Sequence, residues 1–385
     1  MGRPGGRRDR LHDQLAGMPL VDHHCHGVVS RSLDRAGVDA LLTEAPGAGP
    51  AGTSPFDSLL GVAVRRWCAP VLDLPAHAHP DDYLQRRREL GGRAVARRLL
   101  AATGASDLLL DVGLRAGDVL GPDEMAEVSG ARTHRVVRLE AVAEEVAASG
   151  TTGADFAAAF EEALTRHLRG AVAAKSIAAY RGGLDLDPRP PGPAEVQAAA
   201  CRWLATGHGG GGRFRLQDPV LLRHLIWAAA RRRLPLQIHT GFGDPDLHLS
   251  GADPLHLTAL IRALAPTGTT VLLLHCYPFH REAAYLASVY PHVAMDIGLA
   301  IPYVGARAAA VLAEALELAP FHKLLYASDG FGLPELHHLG AALFRRALEE
   351  VLDPWVRDGE MGRDDACRLA TMVASGNARR VYAIE

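Results

Sequence analysis

Short apolar runs alternate with amphipathic segments along most of the chain. Eight of these runs end in polar residues, and an uninterrupted apolar stretch such as 271–274 is typical of a parallel strand buried on both faces. The segments between the runs have helical spacing, as in Pro278–Tyr290 and Pro334–Leu352. The eight predicted strands are Leu20–His26, Asp107–Gly113, His134–Glu140, Ala171–Ile177, Leu234–His239, Thr270–His275, Val293–Gly298 and Lys323–Asp329.

The alternation of strands with helices indicates βαβ units and a parallel sheet. Eight such units in 385 residues predict an α/β fold of the closed (β/α)8 TIM barrel type. A doubly wound open sheet is the alternative, but no G-x-G-x-x-G follows the first strand, which counts against it. We expect a single barrel domain over residues 19–385, preceded by an N-terminal extension over residues 1–18.

Two connections in this pattern are unusually long. The first, over residues 28–106, contains helical patterns at Asp57–Leu72 and Pro80–Ala102, which predict a helical insert over one mouth of the barrel. The second, over residues 181–233, contains a proline-rich bend and the glycine run Gly209–Gly212, which predicts a flexible loop.

Composition and charge argue against several classes of protein. With 41 Lys+Arg against 44 Asp+Glu, the net charge of -3 lacks the basic excess of a protein that binds nucleic acid through phosphates. No apolar stretch reaches the roughly 18 residues that span a bilayer. The five cysteines are scattered without a C-x-x-C pair, which indicates reduced thiols. We expect a cytoplasmic protein without a nucleic-acid or membrane partner. A barrel of the predicted kind can pair into a homodimer through its helical faces.

The first predicted strand ends in Asp22-His23-His24-Cys25-His26. Because strand side chains alternate, Asp22, His24 and His26 are expected on one face and the other two residues on the opposite face. Two imidazoles spaced this way can bind one metal ion, and an aspartate behind them can accept a ring N–H and set the tautomer. A histidine-rich turn without a metal is the alternative for this motif taken alone.

Four later strands also end in residues of metal-site chemistry. They are Lys175 on strand four, His239 on strand five, His275 on strand six and Asp329 on strand eight. A TIM barrel has its active site at the carboxyl ends of its strands, so these residues and the first-strand histidines are expected to meet there. A lone histidine at a strand end is more often a hydrogen-bonded polar residue, but this ordered combination indicates a metal centre.

With this set of residues the sequence resembles the amidohydrolase superfamily of metal-dependent hydrolases. The segments Lys175–Arg181 and Leu274–Glu282 (LHCYPFHRE) resemble the amidohydrolase-2 branch, and within it the amidohydrolase domains fused to glutamine-synthetase-like proteins. The resemblance covers about residues 19–385. It implies that His24 and His26 hold a more buried metal with Asp329, and that His239 and His275 hold a more exposed one.

The resemblance also implies that CO₂ carboxylates Lys175 and that this carbamate bridges the two metals. A shared anion offsets the repulsion of two divalent ions, and a lysine can capture CO₂ as a neutral amine whereas a guanidinium stays protonated. Only Lys175 and Lys323 are lysines among the 41 basic residues. The alternative is an unmodified lysine that acts as a cation beside one metal or reaches solvent.

The expected chemistry is hydrolysis by a metal-activated hydroxide, with one or two Zn²⁺ ions, or Mn²⁺ or Fe²⁺ in their place. Asp329 and His275 are the predicted catalytic residues, Asp329 as the group that takes and passes on a proton. The expected substrate is an amide, or an ester or lactone, in a small polar molecule. A one-metal non-oxidative decarboxylase and a non-catalytic barrel are the alternatives, and the lysine on strand four favours the hydrolase.

Four further residues are candidates for binding the substrate. Arg181, just past strand four, can bind a carboxylate through its two-pronged guanidinium. Glu140 ends strand three and can pair with Arg181 or touch the substrate. His280 and Tyr277 follow strand six, where His280 begins the next helix. Arg181 and His280 also have ordinary structural readings, as a surface arginine and a helix-start histidine.

Overall fold

A computed structural model describes residues 14–15, 17–47, 49–115, 117–207 and 214–385 of the chain. These residues form two compact units. The first unit combines residues up to Leu110 with Leu114–His134 and Asp296–Glu385, and the second contains Asp111–Gly113 and Arg135–Met295. The predicted Gly209–Gly212 loop and most of the predicted 1–18 extension lie outside the described residues.

The described residues form seven strands, each close to a predicted apolar run. They are β1 (Leu20–Cys25), β2 (Ala105–Asp111), β3 (Arg132–Arg138), β4 (Ala171–Ser176), β5 (Leu236–Thr240), β6 (Val271–His275) and β7 (Val293–Met295). In the first unit β1 pairs with β2 in parallel. In the second unit β3 to β7 pair in chain order, all in parallel. This confirms a parallel α/β fold, with seven regular strands instead of the eight predicted.

Helices fill the connections between the strands, as the sequence pattern predicts. The residues of the second unit form α7 to α12 and those of the first unit form the remaining helices. Their bounds are α1 (Arg35–Asp39), α2 (Leu59–Ala63), α3 (Ala69–Val71), α4 (Pro80–Leu90), α5 (Gly92–Ala101), α6 (Pro122–Ser129), α7 (Leu139–Ala148), α8 (Phe156–His167), α9 (Pro193–Gly207), α10 (Pro219–Ala230), α11 (Thr258–Leu264), α12 (His280–Val289), α13 (Ala300–Val304), α14 (Ala308–Leu316), α15 (Pro334–Arg357), α16 (Arg363–Thr371) and α17 (Asn377–Tyr382).

The predicted eighth strand, Lys323–Asp329, is not a regular strand. Phe321–Lys323 forms a 3-10 turn, and the residues after it run beside β1 with irregular bonding. The Tyr326 carbonyl accepts from the His23 amide (3.1 Å), but the Tyr326 amide donates to Val373 (3.1 Å). The Ser328 amide donates to a side chain, the Asp22 carboxylate, at 2.9 Å. Because these amides bond outside a strand ladder, the extended segment forms no regular pairing.

The long connection between β1 and β2 contains several short or interrupted helices, and the predicted helical insert stays a prediction. The predicted Asp57–Leu72 helix is α2 and α3 joined through a π-helical turn at Val64–Cys68. The predicted Pro80–Ala102 helix breaks at Gly91, whose φ of +79° belongs to the left-handed region that glycine tolerates. A position over a barrel mouth stays a prediction. None of the described helices combines the length and apolar character that a membrane span requires.

Candidate functional site

In the first unit, three predicted ligands come together. The Nε2 atoms of His24 and His26 lie 3.2 and 3.3 Å from Oδ1 of Asp329. Both imidazoles are buried, and the Asp329 side chain is 11% exposed. The three side chains therefore offer two nitrogen atoms and one carboxylate oxygen within 4.8 Å of one another.

Backbone bonds between β1 and the 324–330 segment hold this arrangement. The Asp329 amide donates to the His24 carbonyl (3.1 Å), and the His26 amide donates to the Gly330 carbonyl (2.9 Å). Asp329 has a φ of +50°, in the left-handed region that residues other than glycine seldom occupy. Such local strain is tolerated where surrounding contacts enforce it, and it occurs often at functional sites.

Asp22 supports the same segment from β1. Its carboxylate accepts hydrogen bonds from the backbone amide and the hydroxyl of Ser328, the neighbour of Asp329. Burial raises the pKa of Asp22 to about 7, against the lowering effect of the Ser328 bonds. The residue expected to fix an imidazole tautomer thus fixes the chain that carries the third ligand.

The donor set fits a divalent metal ion. Two imidazole nitrogens and one carboxylate oxygen match the three-ligand sets of catalytic zinc sites, which leave a position for water or substrate. The same donors also suit manganese or iron. The Asp329 side chain is the most exposed of the three.

In the second unit, Lys175 lies in a buried charge cluster. Its Nζ is 3.4 Å from Oδ2 of Asp111, and that oxygen also accepts from Arg138 Nη2 at 2.6 Å. Arg138 and Lys175 are register partners on β3 and β4. Asp111 was missed by the sequence analysis, although it is the polar residue at the end of β2 and has the same signal as the predicted ligands.

His239 and His275 lie on adjacent strands of the second unit with both rings buried. Their ring centroids are 4.6 Å apart, and the Tyr180 ring lies 4.6 Å from that of His239. A Cβ at Gly243 would lie 2.0 Å from the Tyr180 hydroxyl oxygen, so the loop after β5 passes close over this aromatic group. His275 also has a left-handed backbone, with φ of +68°. Tyr180 is not among the predicted site residues.

Two of the predicted substrate residues have definite protein partners. Arg181 Nη1 pairs with Glu144 at 3.0 Å, and burial lowers the pKa of Arg181 against the opposing effect of Glu144. Glu140 is in the first turn of α7 and does not end β3 as predicted. Its Oε1 accepts from the Ser176 hydroxyl (2.7 Å) and the Ile177 amide (3.0 Å), and burial raises its pKa.

The other two predicted substrate residues follow β6. His280 begins α12, as predicted, and is 4% exposed. The Tyr277 ring stacks on the His280 ring with centroids 5.6 Å apart. The Phe242 amide donates to the Tyr277 carbonyl (2.6 Å), so the segment after β6 contacts the loop after β5.

A family model described as amidohydrolase matches residues 65–384, most of the chain. The chain belongs to the amidohydrolase family. It is an enzyme of the hydrolase type, and the amidohydrolase resemblance found in the sequence is confirmed. The match begins after His24 and His26, so the predicted ligand roles of these two residues depend on the geometry of this chain.

Relatives of this amidohydrolase include proteins of known sequence and known structure. Protein fluG of Emericella nidulans is 30% identical over 94% of this chain, and the chain spans 45% of the length of fluG. A solved structure named as a metal-dependent hydrolase, from Lactobacillus casei ATCC 334, is 28% identical with a TM-score of 0.83 over 97% of both chains. A uronate isomerase of Bacillus halodurans C-125 covers 100% of this chain and 98% of its own at 14% identity and a TM-score of 0.65, which shows a shared fold.

Proposed function

We propose that this protein is a metal-dependent hydrolase that cleaves an amide bond, or an ester or lactone bond, in a small polar molecule. The convergence of His24, His26 and Asp329 carries this proposal, because the three side chains offer a zinc-type donor set in which the Asp329 side chain is partly exposed. Membership of the amidohydrolase family and the likeness to a metal-dependent hydrolase structure support the reaction class.

In this proposal His24, His26 and Asp329 hold one divalent ion. Such an ion supplies Lewis acidity and lowers the pKa of a water molecule toward about 7. The Asp329 carboxylate takes a proton from the attacking water and gives it to the departing amine or alcohol, which balances the hydrolysis. Asp22 and Ser328 act on Asp329 indirectly, since their hydrogen bonds fix the backbone that carries it.

For the second unit we propose that His239 and His275 provide further metal-binding or substrate-binding nitrogens, with Arg181 and Tyr277 as substrate contacts. A binuclear centre bridged by a carboxylated Lys175 stays a prediction, as do the cytoplasmic location and the homodimer. The contact with buried Asp111 favours an ammonium on Lys175, because a carbamate would place a second anion beside that carboxylate.

The same contact supports a second candidate, a one-metal non-oxidative decarboxylase. An ammonium on Lys175 would provide no carbamate bridge for a second metal. The decarboxylases resemble this chain on strands one, five and eight and typically use one metal. A carboxylate-bearing substrate would then lose CO₂ without a hydrolytic step. Release of CO₂, measured alongside hydrolysis, separates the two candidates.

The decisive experiment compares Asp329→Asn with the wild type. We expect the variant to keep the far-ultraviolet circular dichroism of the fold, to bind the metal at least tenfold more weakly and to lose turnover on a panel of amides, esters and lactones. Asp118→Asn is the matched control, because Asp118 is 56% exposed in a surface pair with Arg115. Full turnover in metal-loaded Asp329→Asn would refute the assignment.

A further inference from the structure

A second group of metal-binding side chains lies in the first unit. Asp22, Cys25 and His337 each offer one ligand atom, and these three atoms lie within 4.8 Å of one another. The residues are 2%, 0% and 1% exposed. This cysteine cluster, defined by these three residues, shares no side chain with the His24, His26 and Asp329 group.

An irregularity in β1 brings two of these side chains together. Asp22 pairs with Leu108 of β2 and Cys25 pairs with Leu110, so three steps along β1 match two steps along β2. Strict alternation would direct Asp22 and Cys25 to opposite faces. The extra residue in β1 cancels that alternation, which lets the Asp22 carboxylate and the Cys25 thiol approach the same point.

His337 supplies the third donor from the start of α15. The His337 ring interacts with the backbone of His26, which leaves one ring nitrogen for a ligand. The ring packs against the backbone of Gly330, where a Cβ would lie 2.4 Å from the His337 Cδ2 atom. With one nitrogen held by the backbone and one ligand atom within 4.8 Å of the Asp22 and Cys25 donors, the ring is placed to complete the cluster.

Asp22 and Cys25 are held in place by their protein contacts, and both keep lone pairs that can coordinate a metal ion. Both bonds from Ser328 to Asp22 orient the carboxylate, and each carboxylate oxygen accepts more than one bond. The Cys25 thiol contacts the Leu109 carbonyl at 3.7 Å, which is long even for a sulfur donor. If Cys25 coordinated a metal ion, its weak contact with the Leu109 carbonyl would be lost. The hydrogen bonds from Ser328 would remain and would orient the Asp22 carboxylate.

We propose that Asp22, Cys25 and His337 bind a divalent cation of the Zn²⁺ type, distinct from the ion of the proposed hydrolase site. Thiolate, imidazole and carboxylate are the three donor classes that zinc combines in proteins. One thiolate and one carboxylate neutralise a 2+ ion, so the buried complex has no net charge to desolvate. Because all three donors are buried, the ion binds as the first unit folds and stabilises the packing of β1 against α15.

The test uses the sulfur donor, which the His24, His26 and Asp329 group lacks. Purified wild type loaded with Co²⁺ is expected to show thiolate-to-cobalt charge-transfer absorption in the near ultraviolet. X-ray absorption at the zinc edge of zinc-loaded wild type is expected to show a sulfur neighbour at about 2.3 Å. This second measurement needs no variant, so it decides the question even if a variant fails to fold.

Three variants assign the signal. Cys25→Ser is expected to lose the charge-transfer band and one equivalent of metal per chain. Cys68→Ser is the control, because Cys68 is equally buried in the first unit but lies outside the cluster, and it is expected to keep both. Asp329→Asn is expected to keep the band while losing the other metal, so failure of the hydrolase proposal and failure of this one give different results. No sulfur neighbour in wild type, or a band that persists in Cys25→Ser, overturns the proposal.

Discussion

The charge on the Lys175 side chain can be measured through its coupling to Asp111. Their charged atoms lie 3.4 Å apart, with side chains 3% and 0% exposed. Two unit charges at this distance interact by about 5 kcal/mol at an effective dielectric constant of about 20. The interaction is attractive if Lys175 is an ammonium and repulsive if it is a carbamate, so its sign distinguishes the two chemical states.

A double-mutant cycle with Asp111→Asn and Lys175→Met measures this sign. We expect Asp111→Asn alone to lower the free energy of unfolding by about 3–5 kcal/mol, because it leaves Arg138 and Lys175 buried without their carboxylate. In the Lys175→Met background the loss should be smaller by about 1–3 kcal/mol. Urea unfolding of metal-free protein, followed by tryptophan fluorescence with and without bicarbonate, provides the measurement.

Glu145→Gln is the control for this cycle. Glu145 pairs with Arg166 on the surface of the second unit, with side chains 52% and 56% exposed, and exposed pairs contribute little to stability. We expect no more than about 0.5 kcal/mol from this change. A coupling of opposite sign in bicarbonate, with Asp111→Asn milder in the presence of Lys175 than in its absence, would refute the ammonium and favour the carbamate.

Three further changes have defined outcomes. Glu335→Gln should lower the free energy of unfolding by about 3–5 kcal/mol in denaturant titrations, because it leaves Arg87 buried without its ion-pair partner. Gly330→Ala should displace the His337 ring and weaken Co²⁺ binding at the cysteine cluster, measured by competition with a chelator. Burial lowers the pKa of His224, so its contribution to stability is present above about pH 6.5 and is lost as pH falls toward the folded-state pKa. His224→Gln should therefore flatten the fall of the thermal midpoint below that pH, and an unchanged slope would contradict this reading.

The residue pattern predicted the elements that depend on local hydrophobic spacing. Seven of the eight apolar runs became strands, because buried parallel strands need continuous apolar sequence. The meeting of His24, His26 and Asp329 also followed from the rule that active-site residues stand at the carboxyl ends of strands. Both inferences require only chain order and periodicity.

Two kinds of feature could not be derived from hydrophobic spacing. One depends on the register of the strands, and the other depends on which group accepts a backbone hydrogen bond. The cluster of Asp111, Arg138 and Lys175 requires β3 and β4 to pair in one particular register. The loss of regular pairing after Lys323 arises because Val373 and Asp22 take the amides of Tyr326 and Ser328. The irregularity of β1 likewise has no signature in the alternation of its residues.

The first unit is built from segments that are far apart in the sequence, so its parts are synthesised at different times. Asp329 follows His24 by about 300 residues in the chain. At a translation rate of roughly 5–20 residues per second, it is synthesised about 15–60 s later. The middle segment 135–295 is complete well before then. Closure of the three-ligand group is thus a late event in biosynthesis. If the proposed ion binds there, it binds only after the segment that carries Asp329 has been synthesised.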